Sequence, residues 1–468
     1  MESNTKNFAL VLTSQGVSTL VSILRSLILP LFLTVTYFGY FQSYLLYITY
    51  APFFCLGYND GVYLRYGNIN YQELPFTLLA KSNALFFILL SIFAVLIWFV
   101  GYLFVNDSDI RFALNMSSLY MITLGVNTLI MQIYQITMNF KGYSLMSIWA
   151  RVLSLVFIVA ILLLGIVDYK YVIVLDLLSL VLITIYLVFR NNKLFVFTGN
   201  PFCADARREF YECIKSGLPL MVAGIMGMLI LGTGQFALQF RSSIEDFAQY
   251  RFGISISSFV LMAVSSASLI IYPVLKRMDE ERQKSLYTEM SNTIDLSILL
   301  IIPIYYAGLI MIRLFYTQYN GLLDYMAVLL VIVFYQAKIY IVQNSYYKTL
   351  RLEKELFIDN LISLIVIFIL LVTVFTFFNQ AKVVAVISLL AIFVRYVISE
   401  IRLSRIIGST SNILQSEILL LVVFMLVTMF FDLYIGLAIN IIMTNVYIIT
   451  KRKIIVSTIN KYVKRNSN

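Results

Sequence analysis

Long apolar stretches recur along almost the whole chain, and only short polar segments separate them. Each stretch is long enough to cross the hydrocarbon core of a bilayer, which takes about 20 residues of α-helix. Charged residues make up 12% of the 468 residues, whereas roughly 25% of the residues of soluble domains are charged. The sequence therefore predicts an all-α polytopic membrane protein.

We place about 14 transmembrane helices in this sequence. Their predicted bounds are 8–35, 37–58, 76–104, 111–139, 144–166, 170–190, 214–240, 246–275, 290–316, 323–350, 356–378, 382–404, 413–432 and 434–450. The last two are short, and Asp432 is the only marked break between them. The run that begins near Phe8 is too long for a signal peptide and lacks a small-residue cleavage site, so we expect it to remain as the first helix.

The positions of Lys and Arg predict the orientation of these spans, because cytoplasmic loops carry an excess of both. If both termini are cytoplasmic, 24 of the 34 basic residues lie in cytoplasmic segments and four lie in outer loops. The other six lie within spans. We therefore expect both termini in the cytoplasm. The longest polar segment, 191–213, is then a cytoplasmic linker, and every outer loop is short.

The spacing of the spans recurs in the second half of the chain. At a shift of 209 residues, Phe38 coincides with Phe247 and Ser82 with Ser291. The layout predicts an N-terminal six-helix lobe (1–190), a cytoplasmic linker (191–213), a C-terminal six-helix lobe (214–405), and two extra helices with a basic cytoplasmic tail (406–468). Because six is even, the lobes would form a parallel pseudo-twofold pair; the alternative is a chance match of spacing.

Six basic residues fall within predicted spans: Arg25, Arg151, Arg251, Arg313, Lys338 and Arg395. A charge at the bilayer centre costs about 2.5–3.5 kcal/mol on insertion scales, so each should face a partner or a wet cavity. Arg25 is the clearest case, because it lies far inside the first span and cannot easily reach the membrane surface, and Asp176 is the deepest acid. One interpretation is that these basic residues form ion pairs or extend their side chains to the membrane surface. The other is that they line a basic cavity for an anionic substrate. Arginine suits phosphate because its planar fork donates two parallel hydrogen bonds.

Ten aromatic residues occupy the second span, YFGYFQSYLLYITYAPFFCLGY. At 100° per residue of a helix, Tyr40, Tyr44 and Tyr47 lie on one face. Each buried tyrosine hydroxyl needs a hydrogen-bond partner, and the hydroxyls of a sugar would provide one. The stripe therefore predicts the lining of a sugar-binding cavity, with helix packing or a membrane-interface belt as the alternative.

Catalysis and metal binding have little support in the composition. Histidine is absent, which removes the commonest general base and the commonest zinc ligand. The three cysteines, Cys55, Cys203 and Cys213, form no CxxC pair. We predict no catalytic residue, no metal site and no cofactor.

The segment SILRSLILPLFLTVTYFGYFQSYLLYITYAPFFCLGYNDGVYLRYG resembles the first two spans of polysaccharide transporters in the multidrug/oligosaccharidyl-lipid/polysaccharide (MOP) exporter superfamily, the Wzx-type flippases. The resemblance implies a MATE-like fold in the cytoplasmic membrane of a bacterium. It also implies movement of an undecaprenyl-diphosphate-linked oligosaccharide for capsule or O-antigen from the inner to the outer leaflet. The coupling ion would be H⁺ or Na⁺.

The resemblance also implies roles for particular residues and partners. Spans one, two, seven and eight line the cavity of related lipid II flippases, which assigns substrate binding to Arg25, Arg65 and Arg251, and gating or ion coupling to Asp60. Further predicted residues are Arg151, Lys338, Tyr40, Tyr44 and Tyr47 for substrate binding, and Asp176 for ion coupling. Expected partners are the lipid-linked oligosaccharide, the membrane, a polysaccharide polymerase and glycosyltransferases. Nucleic acid is not expected, and the protein is expected to be a monomer.

Three alternatives stay open. The first is a flippase for another polyprenyl-linked cargo, such as lipid II or a teichoic acid precursor. A MATE-type multidrug antiporter would favour interior acids, whereas this interior is net basic. A membrane O-antigen polymerase would be expected to carry a sizeable outer loop.

Asp60 and Arg65 also have a simpler interpretation. In LGYNDGVYLRYGN, at the end of span two, they fit an ordinary helix end at Asp-Gly, followed by an arginine in a cytoplasmic loop.

Overall fold

The computed structural model describes residues 2–67, 69–197, 199–257, 275, 278–296, 298–408 and 415–452. These residues are almost entirely helical and contain no strand, which confirms the predicted all-α fold class. Most of the predicted eighth span and most of the basic C-terminal tail lie outside the described residues. The chain divides into two compact units, Met1–Met228 and Leu229–Asn468.

The first unit consists of seven helices and the beginning of an eighth, among the described residues. They are α1 (Glu2–Phe32), α2 (Val35–Tyr50), α3 (Tyr58–Arg65), α4 (Phe76–Phe104), α5 (Ser108–Ile136), α6 (Phe140–Leu163), α7 (Tyr169–Arg190) and the first part of α8 (Ala204–Arg241). Helix α5 packs against α2, α4 and α7, and α1 packs against α6. Helix α5 is therefore at the centre of this unit.

The second unit begins with the last part of α8 and continues with the helical residues 244–257. The later helices are α9 (Glu280–Leu296), α10 (Ile298–Phe315), α11 (Met326–Lys338), α12 (Asn344–Thr349), α13 (Glu353–Leu370), α14 (Ala381–Ile407), α15 (Gln415–Phe430) and α16 (Leu433–Thr450). Every residue of α11 is buried. A π-helical segment, Ile339–Gln343, joins α11 to α12, so this central helix contains one irregular turn.

Where the structure describes the predicted spans, helical residues lie at their positions. Among the described residues, nine helical segments are long and apolar enough to cross a membrane. Three shorter apolar helices, Gly16–Phe32, Ile302–Phe315 and Glu417–Phe430, coincide with predicted spans one, nine and thirteen. The multi-pass membrane protein is confirmed, and the count of 14 spans stays a prediction.

The second predicted span, 37–58, is not one continuous helix. Helix α2 ends at Tyr50, and a 3₁₀ turn, Ala51–Cys55, contains Pro52. Leu56 and Gly57 then adopt positive φ angles of 48° and 74°, a region that glycine enters without steric cost. Helix α3 begins at Tyr58. The break redirects the chain before Asp60 and Arg65, so their directions do not follow from the periodicity of α2.

Glycines allow α3 and α8 to touch backbone to backbone. A Cβ atom added to Gly61 would lie 1.8 Å from the carbonyl oxygen of Cys213, and one added to Gly217 would lie 1.9 Å from the carbonyl oxygen of Gly57. The predicted linker 191–213 therefore ends in helix, because α8 begins at Ala204 and carries Cys213 into this contact.

We expect Gly61→Ala to destabilise the protein by about 1–3 kcal/mol or more, because the added methyl group overlaps a backbone carbonyl that cannot rotate away. Gly224→Ala is the matched control: Gly224 lies in α8, and no atom of the described residues comes within 4 Å of a Cβ added there. Alanine favours helix over glycine by up to about 1 kcal/mol. Thermal unfolding of both variants in the same detergent measures the difference. Equal melting temperatures would show that the close contact is not needed.

Candidate functional site

A buried ion pair joins α1 and α7 inside the first unit. The Nη1 atom of Arg25 lies 2.5 Å from Oδ1 of Asp176. Ser154 donates a hydrogen bond of 2.6 Å to the same oxygen, and Tyr44 donates one of 3.2 Å to Oδ2. The Arg25 guanidinium also lies over the ring of Phe41. Two predicted binding residues, Arg25 and Tyr44, thus converge on one predicted coupling residue.

Four helices supply these groups, and each is otherwise strongly apolar. Asp176 is 5% exposed, so its charge is removed from water and from lipid headgroups alike. A buried charge is tolerated only when it is paired and hydrogen-bonded. Asp176 meets both conditions, because both of its oxygens have partners. The pair leaves this part of the interior electrically neutral.

A polar cavity of about 250 Å³ lies beside the ion pair, between α1, α5, α6 and α7. Its polar lining residues are Ser18, Tyr120, Asn127, Tyr143, Ser147, Arg151, Ser154, Asp176 and Ser179. Arg151 is exposed, and no hydrogen bond or ion pair links its side chain to another described residue. The cavity therefore carries one positive charge that Asp176 does not balance, since Asp176 is paired with Arg25.

The predicted tyrosine stripe divides into different environments. Tyr44 is fully buried and bonds to Asp176. The ring of Tyr40 packs against that of Tyr169, with 5.1 Å between centroids, and its hydroxyl lies 3.4 Å from Asp107. Tyr47 is partly buried on α2. The structure thus brings Tyr44 to the buried charges and holds Tyr40 against α5 and α7.

Arg65 forms a bidentate ion pair across the contact between α3 and α8. Its Nε and Nη2 atoms lie 3.0 and 2.7 Å from the two carboxylate oxygens of Glu209. Tyr66 donates a hydrogen bond of 2.7 Å to Glu209. Through these bonds Glu209 raises the pKa of Arg65, and burial together with Glu209 raises the pKa of Tyr66. Arg65 is therefore a charged residue with an internal partner.

Glu209 was not among the predicted site residues, because the linker was expected to be a loop. A helix over this part of the linker would have placed Glu209, Cys213 and Gly217 on one face, since residues four apart are neighbours on a helix.

Asp60, in the first turn of α3, accepts a hydrogen bond of 3.1 Å from Gln132 of α5. It is partly buried, and this burial raises its pKa.

Lys338 lies in a second buried polar cluster, inside the second unit. It is 4% exposed, forms an ion pair with Asp295 of α9, and donates a hydrogen bond of 3.0 Å to the hydroxyl of Tyr396. Glu400 of α14 accepts a hydrogen bond of 2.8 Å from Tyr287. No sequence pattern indicates that Asp295 faces Lys338, because the two lie on separate helices.

Three more basic residues of the second unit lie near polar partners. Arg251 donates a hydrogen bond to Gln235. Arg395 donates to Asn360 and Asn344, while the neighbouring Arg402 pairs with the buried Asp359 at 3.0 Å. Lys338 and Arg402 thus face carboxylates, whereas Arg251 and Arg395 bond to neutral amides. In the first unit, Arg151 faces the open space of the polar cavity.

The sequence matches a known family over much of this structure. A family model described as a polysaccharide biosynthesis protein matches residues 4–279, which is more than half of the chain. The chain belongs to this family. The match includes every predicted site residue of the first unit and also Arg251. No curated protein matches the sequence.

The fold of this polysaccharide biosynthesis family member is also found in solved structures. A lipid II flippase, MurJ, in an inward closed conformation covers 96% of this chain and 100% of its own length, with 14% identity and a TM-score of 0.68. An inward-facing multidrug resistance MATE family transporter of the MOP superfamily covers 85% and 96%, with 14% identity and a TM-score of 0.52. MATE in complex with MaL6 covers 86% and 97%, with 13% identity and a TM-score of 0.53.

These similarities establish the MOP fold of the family member. The predicted MATE-like fold class is therefore confirmed, and the predicted polysaccharide family agrees with the family match. The proteins that share the fold are a flippase and transporters, which agrees with the prediction that this chain is not an enzyme. The predicted binding and coupling residues stay predictions, because a fold match does not assign them.

Removing the charge of Arg25 should lower the stability of the protein, because Asp176 would stay buried. We expect Arg25→Met to destabilise the protein by about 3–5 kcal/mol, because a buried carboxylate is left without its cation. The double variant Arg25→Met/Asp176→Asn removes both charges and should recover much of that loss. Thermal unfolding of the purified variants gives both differences.

The control is Lys170→Met at the pair that Lys170 forms with Asp109, with 3.0 Å between the charged atoms and side chains 47% and 31% exposed. An exposed pair contributes less than about 1 kcal/mol. If Arg25→Met and Lys170→Met unfolded at the same temperature, the buried pair would not be a stabilising element.

Proposed function

We propose that this protein is a flippase that moves an undecaprenyl-diphosphate-linked oligosaccharide from the inner to the outer leaflet of a bacterial cytoplasmic membrane by alternating access. The product would be capsule, exopolysaccharide or O-antigen. The supporting observation is the combination of a polysaccharide biosynthesis family match with a fold shared, over 96% of the chain, with a lipid II flippase. The excess of Lys and Arg in the predicted cytoplasmic loops supports the proposed orientation.

A diphosphate group needs cations where water is scarce, and the arginines of the first unit are the groups we assign to it. Arg151 lines a polar cavity and is not paired with any other described residue, so it can meet a phosphate oxygen directly. Arg25 and Arg65 each face a carboxylate. A guanidinium has five N–H donors, so both keep donors that their carboxylates do not use.

Asp176 is the residue that we assign to ion coupling. While it is charged it neutralises Arg25. When it takes up a proton or binds Na⁺, its negative charge is cancelled and Arg25 becomes an uncompensated cation. The basic charge of the interior, and with it the affinity for a diphosphate, would then depend on the coupling ion. Asp60 is a second candidate, because it is partly buried and no cation pairs with it within the described part of the chain.

The second candidate function is a flippase for another polyprenyl-linked cargo, such as lipid II or a teichoic acid precursor. The fold match to a lipid II flippase favours it. A multidrug antiporter has less support: organic cations require free interior carboxylates, whereas Asp176, Asp295 and Asp359 each face a Lys or Arg. A polymerase and glycosyltransferases are the proposed partners, because they would consume and supply the cargo.

Cells that lack this protein should accumulate lipid-linked repeat units on the cytoplasmic leaflet, and the wild-type chain should restore their transfer. We expect Arg151→Ala to lower transfer at least about tenfold, the loss of one charge-assisted hydrogen bond. The stability of the protein should not change, because the Arg151 side chain is exposed and bonds to no other described residue.

Arg190→Ala is the control, since Arg190 is an exposed arginine at the end of α7 that contacts Tyr186. It should transfer at the wild-type rate. Equal rates for both variants would remove Arg151 from the site. Normal transfer without the protein would refute the flippase itself, and faster transfer of lipid II in proteoliposomes would favour the second candidate.

Coupling can be tested with Asp176→Asn, which reproduces the neutral form of the carboxyl group. In proteoliposomes, a gradient of H⁺ or of Na⁺ should accelerate the wild-type protein and leave this variant unaffected. Asp109→Asn, at a partly exposed carboxylate, should respond as the wild type does. A normal response of Asp176→Asn to both gradients would show that coupling lies elsewhere.

A further inference from the structure

A second cavity, of about 150 Å³, lies wholly within the second unit. It is formed where α10 ends, where the 3₁₀ segment Thr317–Asp324 ends, where α14 begins, and where α15 is joined to α16. It contains none of the residues to which we assigned cargo binding or ion coupling. It therefore needs an explanation of its own.

Charges of both signs line this cavity, two of each. Arg313 and Lys382 are the cations, and Asp324 and Asp432 are the anions. No side-chain hydrogen bond or ion pair joins any of the four to another described residue. Asp432 is the N-cap residue of α16, and its side chain forms no capping hydrogen bond to the helix. Charged groups that lie around one space without pairing are available to a ligand that carries both charges.

Two tyrosines form the apolar side of the cavity. The rings of Tyr305 and Tyr306 meet edge to face with 5.1 Å between centroids, and Tyr305 packs in the same way on Phe424. The hydroxyl of Tyr306 accepts a hydrogen bond of 2.9 Å from Asn440. Both rings are thereby held in fixed positions, and an aromatic face attracts a cation within about 6 Å.

The surroundings of the cavity are apolar and exposed. The neighbouring side chains of Leu314, Phe315, Phe430 and Tyr434 are between 66% and 82% exposed, as expected for surfaces that face acyl chains. The Lys and Arg distribution assigns these helix ends to the outer surface. A charged cavity beside apolar surface at the end of membrane helices lies where phospholipid headgroups lie.

We propose that this cavity binds the headgroup of a zwitterionic phospholipid with a primary ammonium group, phosphatidylethanolamine, from the outer leaflet. The phosphodiester lies against Arg313 and Lys382. The ammonium group donates hydrogen bonds to Asp324 and Asp432 and lies near the tyrosine rings. The equal number of charges favours a net-neutral headgroup over an anionic one. A quaternary ammonium cannot donate to the carboxylates, which favours ethanolamine over choline.

The test is native mass spectrometry of the delipidated full-length protein with phosphatidylethanolamine, phosphatidylcholine or phosphatidylglycerol of identical acyl chains. The wild-type protein should retain the ethanolamine lipid most strongly. Asp432→Asn keeps a good N-cap residue but loses a carboxylate, so retention of that lipid should fall about tenfold, as for one charge-assisted hydrogen bond. Gly436→Leu should lower it too, because the new side chain enters the cavity.

Asp168→Asn is the matched control, because Asp168 is the N-cap residue of α7 in the other unit. It should retain the ethanolamine lipid as the wild type does. Equal binding of the three phospholipids, or equal retention by Asp432→Asn and Asp168→Asn, would overturn the proposal. Preferential binding of phosphatidylglycerol would also overturn it, since it would mean that the two cations alone select the ligand.

Discussion

The buried ion pair between Arg25 and Asp176 is the interaction on which the polar interior of the first unit depends. An isolated charge in hydrocarbon is so costly that neither residue could stay at its depth without the other. Ser154 and Tyr44 complete the hydrogen bonding of the carboxylate. Four helices, α1, α2, α6 and α7, must therefore keep one relative register, because a shift of any of them would leave a buried polar atom unpaired.

The second unit uses the same chemistry with different residues. Lys338 faces Asp295, and Arg402 faces Asp359. Paired charges of this kind hold helices in place, and neutralising the acid of such a pair leaves its cation free to attract an anion. For a protein whose proposed cargo is an anion, the acids that balance its basic residues are thus as important as the basic residues themselves.

The positions of several helices were predicted, because a long apolar stretch indicates a membrane helix whatever its neighbours are. The bounds 76–104 agree with α4, and the family resemblance of the first two spans lies within the matched residues 4–279. The pairing of Arg25 with Asp176 was not predicted, because the two are 151 residues apart and hydropathy contains no information on helix neighbours. Glu209 was missed for a different reason: polar composition in the linker resembled a loop, whereas the segment is the start of a helix.

The glycine contact between α3 and α8 limits where α8 can change direction. Its first part is held to the first unit by backbone contact at Gly217 and by the pair of Arg65 with Glu209. Its last part belongs to the second unit, which begins at Leu229. Between them, a Cβ added to Gly224 or Gly227 would meet no atom of the described residues within 4 Å. Met221 and Met226 are buried in this stretch, so packing still contributes there, but the two glycines lower its helix propensity by up to about 1 kcal/mol each relative to alanine. If the proposed transport bends α8, the helix is therefore weakest around Gly224 and Gly227.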